Sequence, residues 1–304
     1  MKKYIVLGFL LIVAGITFMY KDDILKLYYN FFVKKTADVS IDEKNEYYRD
    51  YDFMYVQNTS SFEPENKKDL INIIYTIINS GKTDFTFYCP DSYKNCIDDV
   101  KEISKNQVIL SNINNYVHPF NSFKHISTQT DSLGTVTVNI KKAYSENDIR
   151  LVKEEVKHLE EKLFDPSLST EDQIKKIHDY IIDNSKYDSN RTDNNVIEYK
   201  SDIAYGPLIE GYGICGGYSD AMELFLEDLN IKSYKISSDT HVWNAVNLYN
   251  KWYHIDLTWD DPVTNTGIEI IDDKFFLINT STLQNIEPTQ HYFDKETFAE
   301  FKNY

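Results

Sequence analysis

The amino-acid sequence predicts an α+β fold, in which helices and antiparallel strands come from separate stretches of one chain. Three observations support this prediction. Apolar residues recur at helical spacing in several polar segments, and elsewhere alternating apolar residues flank short turn sequences, as in β-hairpins. Hydrophobic residues make up 42% of the 304 residues, which is enough to bury a core in one large domain or two modest ones.

The charge balance excludes one class of partner. The formal net charge is -16 at pH 7, whereas binding to the phosphates of nucleic acid needs a basic surface. We therefore expect no nucleic acid partner. Aromatic residues make up 14% of the chain, which favours an ordered protein over a disordered one.

The amino terminus predicts a membrane anchor. Lys2 and Lys3 precede the uncharged run YIVLGFLLIVAGITFMY at residues 4–20, which is at the short limit for a transmembrane helix. Acids follow the run, so the positive-inside rule places the rest of the chain outside the cell membrane. We expect a single-pass signal anchor with its juxtamembrane stretch at residues 1–36 and a polar linker at residues 37–50. A cleaved signal peptide, which would give a secreted protein, is the alternative.

Two regions follow the linker, at residues 51–144 and 145–304. The first is predicted to be a small α+β unit. Its elements are two helices at residues 64–81 and 91–106, a strand at residues 83–88, and a hairpin formed by residues 122–129 and 135–142. In the second region, Ser145 and Ser169 are predicted to cap two helices. His178 lies on the apolar face of the second helix, so we expect a packed histidine there rather than a catalytic one.

Cysteine spacing predicts one disulfide in an extracytoplasmic protein. Cys89 and Cys96 lie seven residues apart, and a bond between them would close a short loop. Cys215 would then be the odd thiol. Three unpaired thiols are the alternative.

Cys215 lies where a glycine-rich turn leads into a helix, in GYGICGGYSDAMELFLEDL. The thiolate is the nucleophilic form of cysteine, and the amide groups and positive dipole end at a helix N-terminus stabilise it. The four neighbouring glycines would permit a sharp turn and close approach of a substrate. Cys215 is therefore a candidate nucleophile, although a buried cysteine in a glycine-rich turn would have the same pattern.

A second hairpin, turning near Asn250, is predicted to bring a base and an acid together. Apolar residues alternate along each of the two strands. The apolar residues of both strands lie on the same face of the hairpin only if the turn between the strands contains an even number of residues. The opposite face then carries His241 on one strand and Asp256 on the other. We expect His241 to be the general base and Asp256 to orient it. His254 is the rival base, but its side chain runs roughly parallel to that of Asp256.

Three tryptophans accompany this hairpin. They are candidates for the wall of a cleft, or else they are simply core aromatics. They are Trp243, Trp252 and Trp259.

These motifs resemble the transglutaminase-like superfamily of cysteine enzymes, in its bacterial extracytoplasmic form. The order GYGICGGYSDAM, HVWNAV and WYHIDLTWDDP carries the resemblance, which covers roughly residues 169–261. It implies a papain-like core in which the helix bearing Cys215 packs on an antiparallel sheet. It also implies a catalytic triad of Cys215, His241 and Asp256 that acts through a thioester intermediate.

The resemblance leaves the reaction open. Superfamily members hydrolyse peptides, cross-link glutamine to amines, or remove glycans from asparagine. We favour hydrolysis of protein or peptide amide bonds, with a cell-surface or cell-wall peptide as substrate. Acyl transfer to an amine, which would cross-link surface proteins, and a non-catalytic peptide or cell-wall binding module are the alternatives. No cofactor is expected, and no metal, because no acidic loop has calcium-ligand spacing.

An acyl-transfer enzyme needs an oxyanion hole. The backbone N–H of Cys215 is one natural donor. Animal transglutaminases take the second donor from a tryptophan upstream of the cysteine, but every tryptophan of this chain lies after Cys215. Tyr205 and Tyr212 are the remaining candidates, with Trp243 as a further cleft residue.

Overall fold

The computed structural model describes residues 14–28, 39–261 and 272–302. Most of the apolar run at the amino terminus, residues 4–13, lies outside these ranges, as do residues 29–36 of the juxtamembrane stretch. Among the described residues, no helix combines the length and the apolar character needed to cross a membrane. The membrane anchor therefore stays a prediction.

Besides the helical residues 14–19, ten bounded α-helices occur in the described part of the chain, and the helix at residues 21–28 is fully exposed. The helices are α1 Lys21–Tyr28, α2 Lys67–Asn79, α3 Cys96–Lys105, α4 Gln107–Asn114, α5 Glu146–Leu163, α6 Thr170–Asp183, α7 Ser189–Asn194, α8 Cys215–Asp228, α9 Leu257–Asp260 and α10 Thr280–Ile286. The strands are β1 Asp84–Tyr88, β2 Phe123–Thr130, β3 Thr135–Lys142, β4 Lys186–Tyr187, β5 Tyr212–Gly213, β6 Ser233–Ser237, β7 Val242–Leu248 and β8 Lys251–Ile255.

The first region is the small α+β unit that the sequence predicts. Its antiparallel sheet has the order β1-β3-β2, with the predicted hairpin formed by β2 and β3. Helix α3 begins at Cys96 rather than at residue 91, and Cys96 is bonded to Cys89. The helix ends at Lys105, within one residue of the predicted end, and the side chain of Asn106 accepts hydrogen bonds from the amides of Val108 and Ile109 and so caps a separate helix, α4.

The second region contains the sheet that positions the candidate site. Its order is β6-β7-β8, and all pairs are antiparallel. Leu248 pairs with Lys251, which leaves a two-residue turn in which Tyr249 and Asn250 both have positive φ. This backbone twist matches the twist of the flanking strands. The predicted hairpin with an even connection is therefore confirmed.

Helices α5 and α6 begin at the predicted caps. Ser145 forms a capping box with Asp148, and Ser169 accepts a hydrogen bond from the amide of Asp172. His178 is fully buried, as expected, and Nε2 lies 3.2 Å from Asp260 Oδ2. Asp260 is also buried and accepts a hydrogen bond from the amide of Phe275.

The two regions share one hydrophobic core. Residues from α2 to β3 pack in the same cluster as residues from the second sheet, and Tyr116 stacks on Tyr234 with ring centroids 4.7 Å apart. A buried ion pair ties the end of the predicted linker to the second region, because Arg49 Nη2 lies 2.5 Å from Glu223 Oε1 on α8. A second core lies on the opposite face of the hairpin, where residues of α5, α6 and α8 pack together with Val246, Leu248 and Ile255.

Candidate active site

Cys215 is the first residue of α8, and its side chain is half-buried. Gly211 has a φ of 73° and turns the chain into the short strand β5, which pairs with β4. The amide of Ile214 then donates to Ser201 O at 2.9 Å. These contacts fix the backbone immediately before the thiol. The amide groups in the first turn of the helix have no intrahelical acceptor, so they are available to a ligand.

The two glycines after Cys215 allow another segment of the backbone to pack closely against the start of α8. A Cβ atom on Gly217 would lie 2.3 Å from Ser201 O, and one on Gly216 would lie 2.9 Å from Asp202 O. Both distances are shorter than real Cβ contacts. The segment at residues 201–203 therefore lies against the start of α8, where the sequence suggested that a substrate would approach these glycines.

His241 lies just before β7, on the face of the hairpin that also carries Asp256. Its Nε2 lies 2.5 Å from Asp256 Oδ2, which leaves Nδ1 for the thiol of Cys215. Burial by itself lowers the pKa of His241. The interactions with the Asp256 carboxylate and, to a smaller extent, with Cys215 have the larger effect, and together they raise this pKa to about 10. The imidazole is therefore held as a cation at neutral pH.

Both carboxylate oxygens of Asp256 have partners. Oδ1 accepts from the amides of Thr258 and Trp259, at 3.0 and 3.2 Å, and so caps helix α9. Oδ2 accepts from His241 and also from His291 Nε2, at 2.8 Å. Burial raises the pKa of Asp256, but His241 and His291 outweigh it and lower that pKa well below its usual range.

His291 is the residue at this site that sequence reasoning missed. It comes from a segment that carries no motif, 35 residues after Asp256, and a lone histidine there has no ligand-spaced or catalytic partner in the sequence. The ligand-type atoms of His241, Asp256 and His291 lie within 4.8 Å of one another. Each imidazole Nε2 is already hydrogen-bonded to the carboxylate, so the hydrogen bonds account for the cluster.

Two cavities are lined by both Cys215 and His241. The larger, about 520 Å³, is named the polar arm. Its lining includes Asn114 and Lys124 from the first region, the buried pair Lys235 and Asp220, and Asp239. Lys235 Nζ lies 2.5 Å from Asp220 Oδ1. The polar arm therefore offers amide, hydroxyl and charged groups close to the thiol.

The smaller cavity, about 360 Å³, is named the aromatic arm. Tyr187, Trp259 and Gln290 line it together with Cys215 and His241. Tyr187 lies on β4 beside Gly213, and burial, followed by the nearby charge of Cys215, raises the pKa of its hydroxyl. Its hydroxyl is therefore protonated and close to the candidate nucleophile.

Comparison with known proteins identifies the segment that holds these groups. Residues 157–257 match the Transglutaminase-like superfamily. The matched segment contains Cys215, His241 and Asp256. This confirms the resemblance drawn from the sequence for this part of the chain, and superfamily members are cysteine-dependent enzymes.

Two solved structures are similar over part of their length. One is a crystal structure of a TGase, with 14% identity, a TM-score of 0.32, and coverage of 45% of this chain and 44% of the other. The second is a Cytophaga hutchinsonii protein assigned provisionally as a cysteine protease, with 14% identity, a TM-score of 0.28, and coverage of 48% and 65%. The chain thus spans less than two thirds of the length of either. No curated protein matches its sequence.

The sequence candidates for the second oxyanion donor, Tyr205 and Tyr212, lie outside the linings of the two arms. Tyr205 lies under Lys200, whose Nζ is 4.5 Å from its ring, and Tyr212 stacks on Tyr199 at 4.0 Å. Among the described residues, neither tyrosine belongs to the lining of the polar arm or of the aromatic arm. Tyr187 lines the aromatic arm instead, and no helical or strand pattern in the sequence marks it.

Two hairpin residues near the triad positions are also buried away from the cleft. Trp243 is fully buried, and its indole donates to His254 Nδ1 at 3.0 Å, so it does not form the cleft wall that the sequence suggested. His254 Nε2 lies 3.0 Å from Thr280 Oγ1, and burial lowers the pKa of His254 to about 3. His254 is therefore a neutral core residue and not the rival base.

Proposed function

We propose that this chain is a cysteine-nucleophile enzyme that cleaves amide bonds of proteins or peptides through Cys215, His241 and Asp256. One observation carries the proposal. An imidazole, fixed by a carboxylate at 2.5 Å, leaves its other nitrogen to a thiol at a helix N-terminus, between two cavities. This is the geometry of a nucleophile, a base and an orienting acid.

The proposed reaction has two halves. The Cys215 thiolate attacks the carbonyl carbon of the amide, and the His241 imidazolium gives its proton to the leaving amine as the C–N bond breaks. A thioester remains on Cys215. His241, now neutral, takes a proton from water, the hydroxide attacks the thioester, and the carboxylic acid leaves with the thiolate restored. Asp256 stabilises the imidazolium without being protonated, since its pKa is lowered.

The oxyanion of each tetrahedral intermediate needs donors. We infer that the backbone N–H of Cys215 is one of them, because first-turn amides of a helix have no intrahelical acceptor. We propose the hydroxyl of Tyr187 as the second donor, because Tyr187 lines the same cavity as Cys215. Tyr187 would then do what a tryptophan does in animal transglutaminases.

Hydrolysis is favoured over transfer because water needs no binding site of its own. Acyl transfer to an amine is the second candidate, and one observation supports it. Asp239 and Asp202 line the polar arm beside Cys215, where a carboxylate would attract the ammonium group of an incoming amine. A binding module without catalysis has no need of the base and the orienting acid together.

The disulfide bears on the location. Cys89 and Cys96 are bonded, and disulfides persist mainly in oxidising compartments outside the cytosol. This supports the proposal that the enzyme faces outward, anchored by its amino-terminal apolar run or secreted after cleavage, with a surface or cell-wall peptide as substrate.

Alkylation of the thiol tests the nucleophile. Cys215 is the single free cysteine, so iodoacetamide reports on it alone in the full-length chain. We expect fast alkylation at pH 6, slower alkylation in His241→Ala, and none in Cys215→Ala. If the wild-type thiol reacts no faster at pH 6 than an ordinary thiol, Cys215 is not activated and the proposal is wrong.

A product assay separates the two reactions. The enzyme is given a peptide that contains glutamine, with and without a primary amine, and the products are weighed by mass spectrometry. Peptide cleavage or release of ammonia without the amine supports hydrolysis. An amine adduct, formed only when the amine is present, supports transfer and replaces the hydrolytic proposal.

A further inference from the structure

We propose that His291 is a positioning residue of this site, which holds the Asp256 carboxylate in the orientation that His241 requires. The proposal rests on the proposed function. His291 would be a fourth group beside Cys215, His241 and Asp256. It lies outside the sequence motifs and also outside the match to the superfamily, which ends at residue 257.

The hydrogen bonds give the first argument. Asp256 Oδ2 receives His241 Nε2 at 2.5 Å and His291 Nε2 at 2.8 Å. A carboxylate is acceptor-only, so both nitrogens carry hydrogen and donate. The backbone amides of Thr258 and Trp259 hold Oδ1 alone. The bond from His291 fixes the other oxygen, which is the one that contacts the catalytic imidazole.

The packing of the ring gives the second argument. His291 is fully buried. Its ring stacks on Phe275 with centroids 5.2 Å apart and meets the edges of Trp243 at 4.9 Å and Trp259 at 5.5 Å. A ring enclosed by three aromatic side chains cannot turn without displacing them. The donor is therefore rigid, which is what a group that orients a catalytic residue needs.

Burial also decides the kind of role. The described cavities at Cys215 do not include His291 in their lining, so it does not touch a substrate there. Its other nitrogen, Nδ1, is buried without a hydrogen-bond partner among the described residues, and it lies 3.9 Å from Glu287 Oε2. Retaining a histidine with one nitrogen unpaired in a core has a cost, which a phenylalanine of similar shape would avoid. The bond to Asp256 is what the histidine adds.

Two substitutions separate positioning from packing. His291→Phe keeps an aromatic ring against Phe275 but removes the donor, whereas His291→Gln keeps an N–H donor at nearly the same reach. We expect His291→Phe to lower kcat by roughly tenfold to a hundredfold with KM unchanged, since small misplacements of catalytic groups have effects of this size. We expect His291→Gln to recover most of kcat. The melting temperature of each variant is measured alongside.

Alkylation of Cys215 supplies a readout that needs no substrate. We expect the rate at pH 6 to fall in His291→Phe and to recover in His291→Gln, in step with kcat. If the wild-type thiol is unreactive, the proposed function fails. If the wild-type thiol is activated and His291→Phe matches it in both assays, only the positioning role fails.

Two further outcomes would overturn the role. Equal losses of activity and melting temperature in both variants would make His291 a packing residue. A stoichiometric divalent metal, measured by mass spectrometry in the purified wild-type protein and lost in His291→Gln, would make it a metal ligand instead.

Discussion

The polar and aromatic arms meet at the same thiol but differ in the origin of their residues. The polar arm takes part of its lining from the first region, Asn114 and Lys124 among others, and the rest from residue 202 onward, whereas every lining residue of the aromatic arm comes from residue 187 onward. The comparison indicates a division of roles. The proposed chemical groups all lie in the second region, while the first region, which lies outside the family match, lines only the polar arm. Substitutions at the junction and in the two arms should therefore have separable effects.

The largest effect is expected at the junction of the two arms. Asp256→Asn removes the charge that raises the pKa of His241 to about 10, so burial then lowers that pKa. In the wild type the imidazolium persists as pH rises and is lost through about pH 10, whereas in the variant it is lost several pH units lower. We expect kcat to fall by about 10⁴-fold, as in other triads that lose the orienting acid.

The rate against pH, measured with peptides that fill either arm, checks this prediction. Every substrate should lose activity by the same factor, because the change affects the shared chemistry. A variant that keeps its alkaline limit near pH 10 would show that Asp256 does not set the protonation of His241.

A smaller effect is expected in the aromatic arm. Tyr187→Phe keeps the ring on β4 but removes the hydroxyl beside the thiol. If this hydroxyl stabilises the oxyanion, kcat should fall by about 10²-fold while KM stays within twofold. Tyr212→Phe is the matched control, because Tyr212 stacks on Tyr199 outside both arms. Steady-state kinetics in which the two variants behave alike would remove Tyr187 from the reaction.

The smallest effect is expected in the polar arm. Lys124 is exposed at its edge, 3.9 Å from Asp202, and Lys124→Glu reverses its charge beside that acid. We expect KM to rise a few-fold for acidic peptides and to fall for basic ones at low salt, with kcat unchanged, since exposed charges act over short range and are screened by salt. Lys251→Glu, at an exposed strand end, is the control. Equal behaviour of the two variants would mean that the first region does not select the substrate.

Local pattern was sufficient to predict the elements that carry the proposed triad. The start of α8 follows from the glycine turn and the apolar spacing after Cys215. The common face of His241 and Asp256 follows from strand alternation, which has a period of two and so survives an unknown register. Alternation gives the face of a side chain but not what covers that face. Trp243 shares the face of His241 and is nevertheless buried in the core that both regions form.

Residues that arrive from distant segments could not be predicted in this way. Tyr187 reaches Cys215 because a two-residue parallel pairing joins β4 to β5, which is too short to leave a periodic pattern. His291 reaches Asp256 through the packing of its ring against Phe275 and two tryptophans. Both contacts depend on tertiary packing, and a single sequence does not contain that information in its spacing.

The buried pair of Arg49 and Glu223 has a practical consequence for fragments of this protein. Glu223 lies on the helix that begins with Cys215, and its charge partner lies more than a hundred residues upstream of the matched segment. A fragment cut to the boundaries of the family match would leave this carboxylate buried without its guanidinium, a loss that typically destabilises a protein by about 3–5 kcal/mol. The fragment would also lack the residues of the first region that pack in the same core as Tyr234. The smallest piece that folds is therefore larger than the piece that resembles a family, and it begins before Arg49.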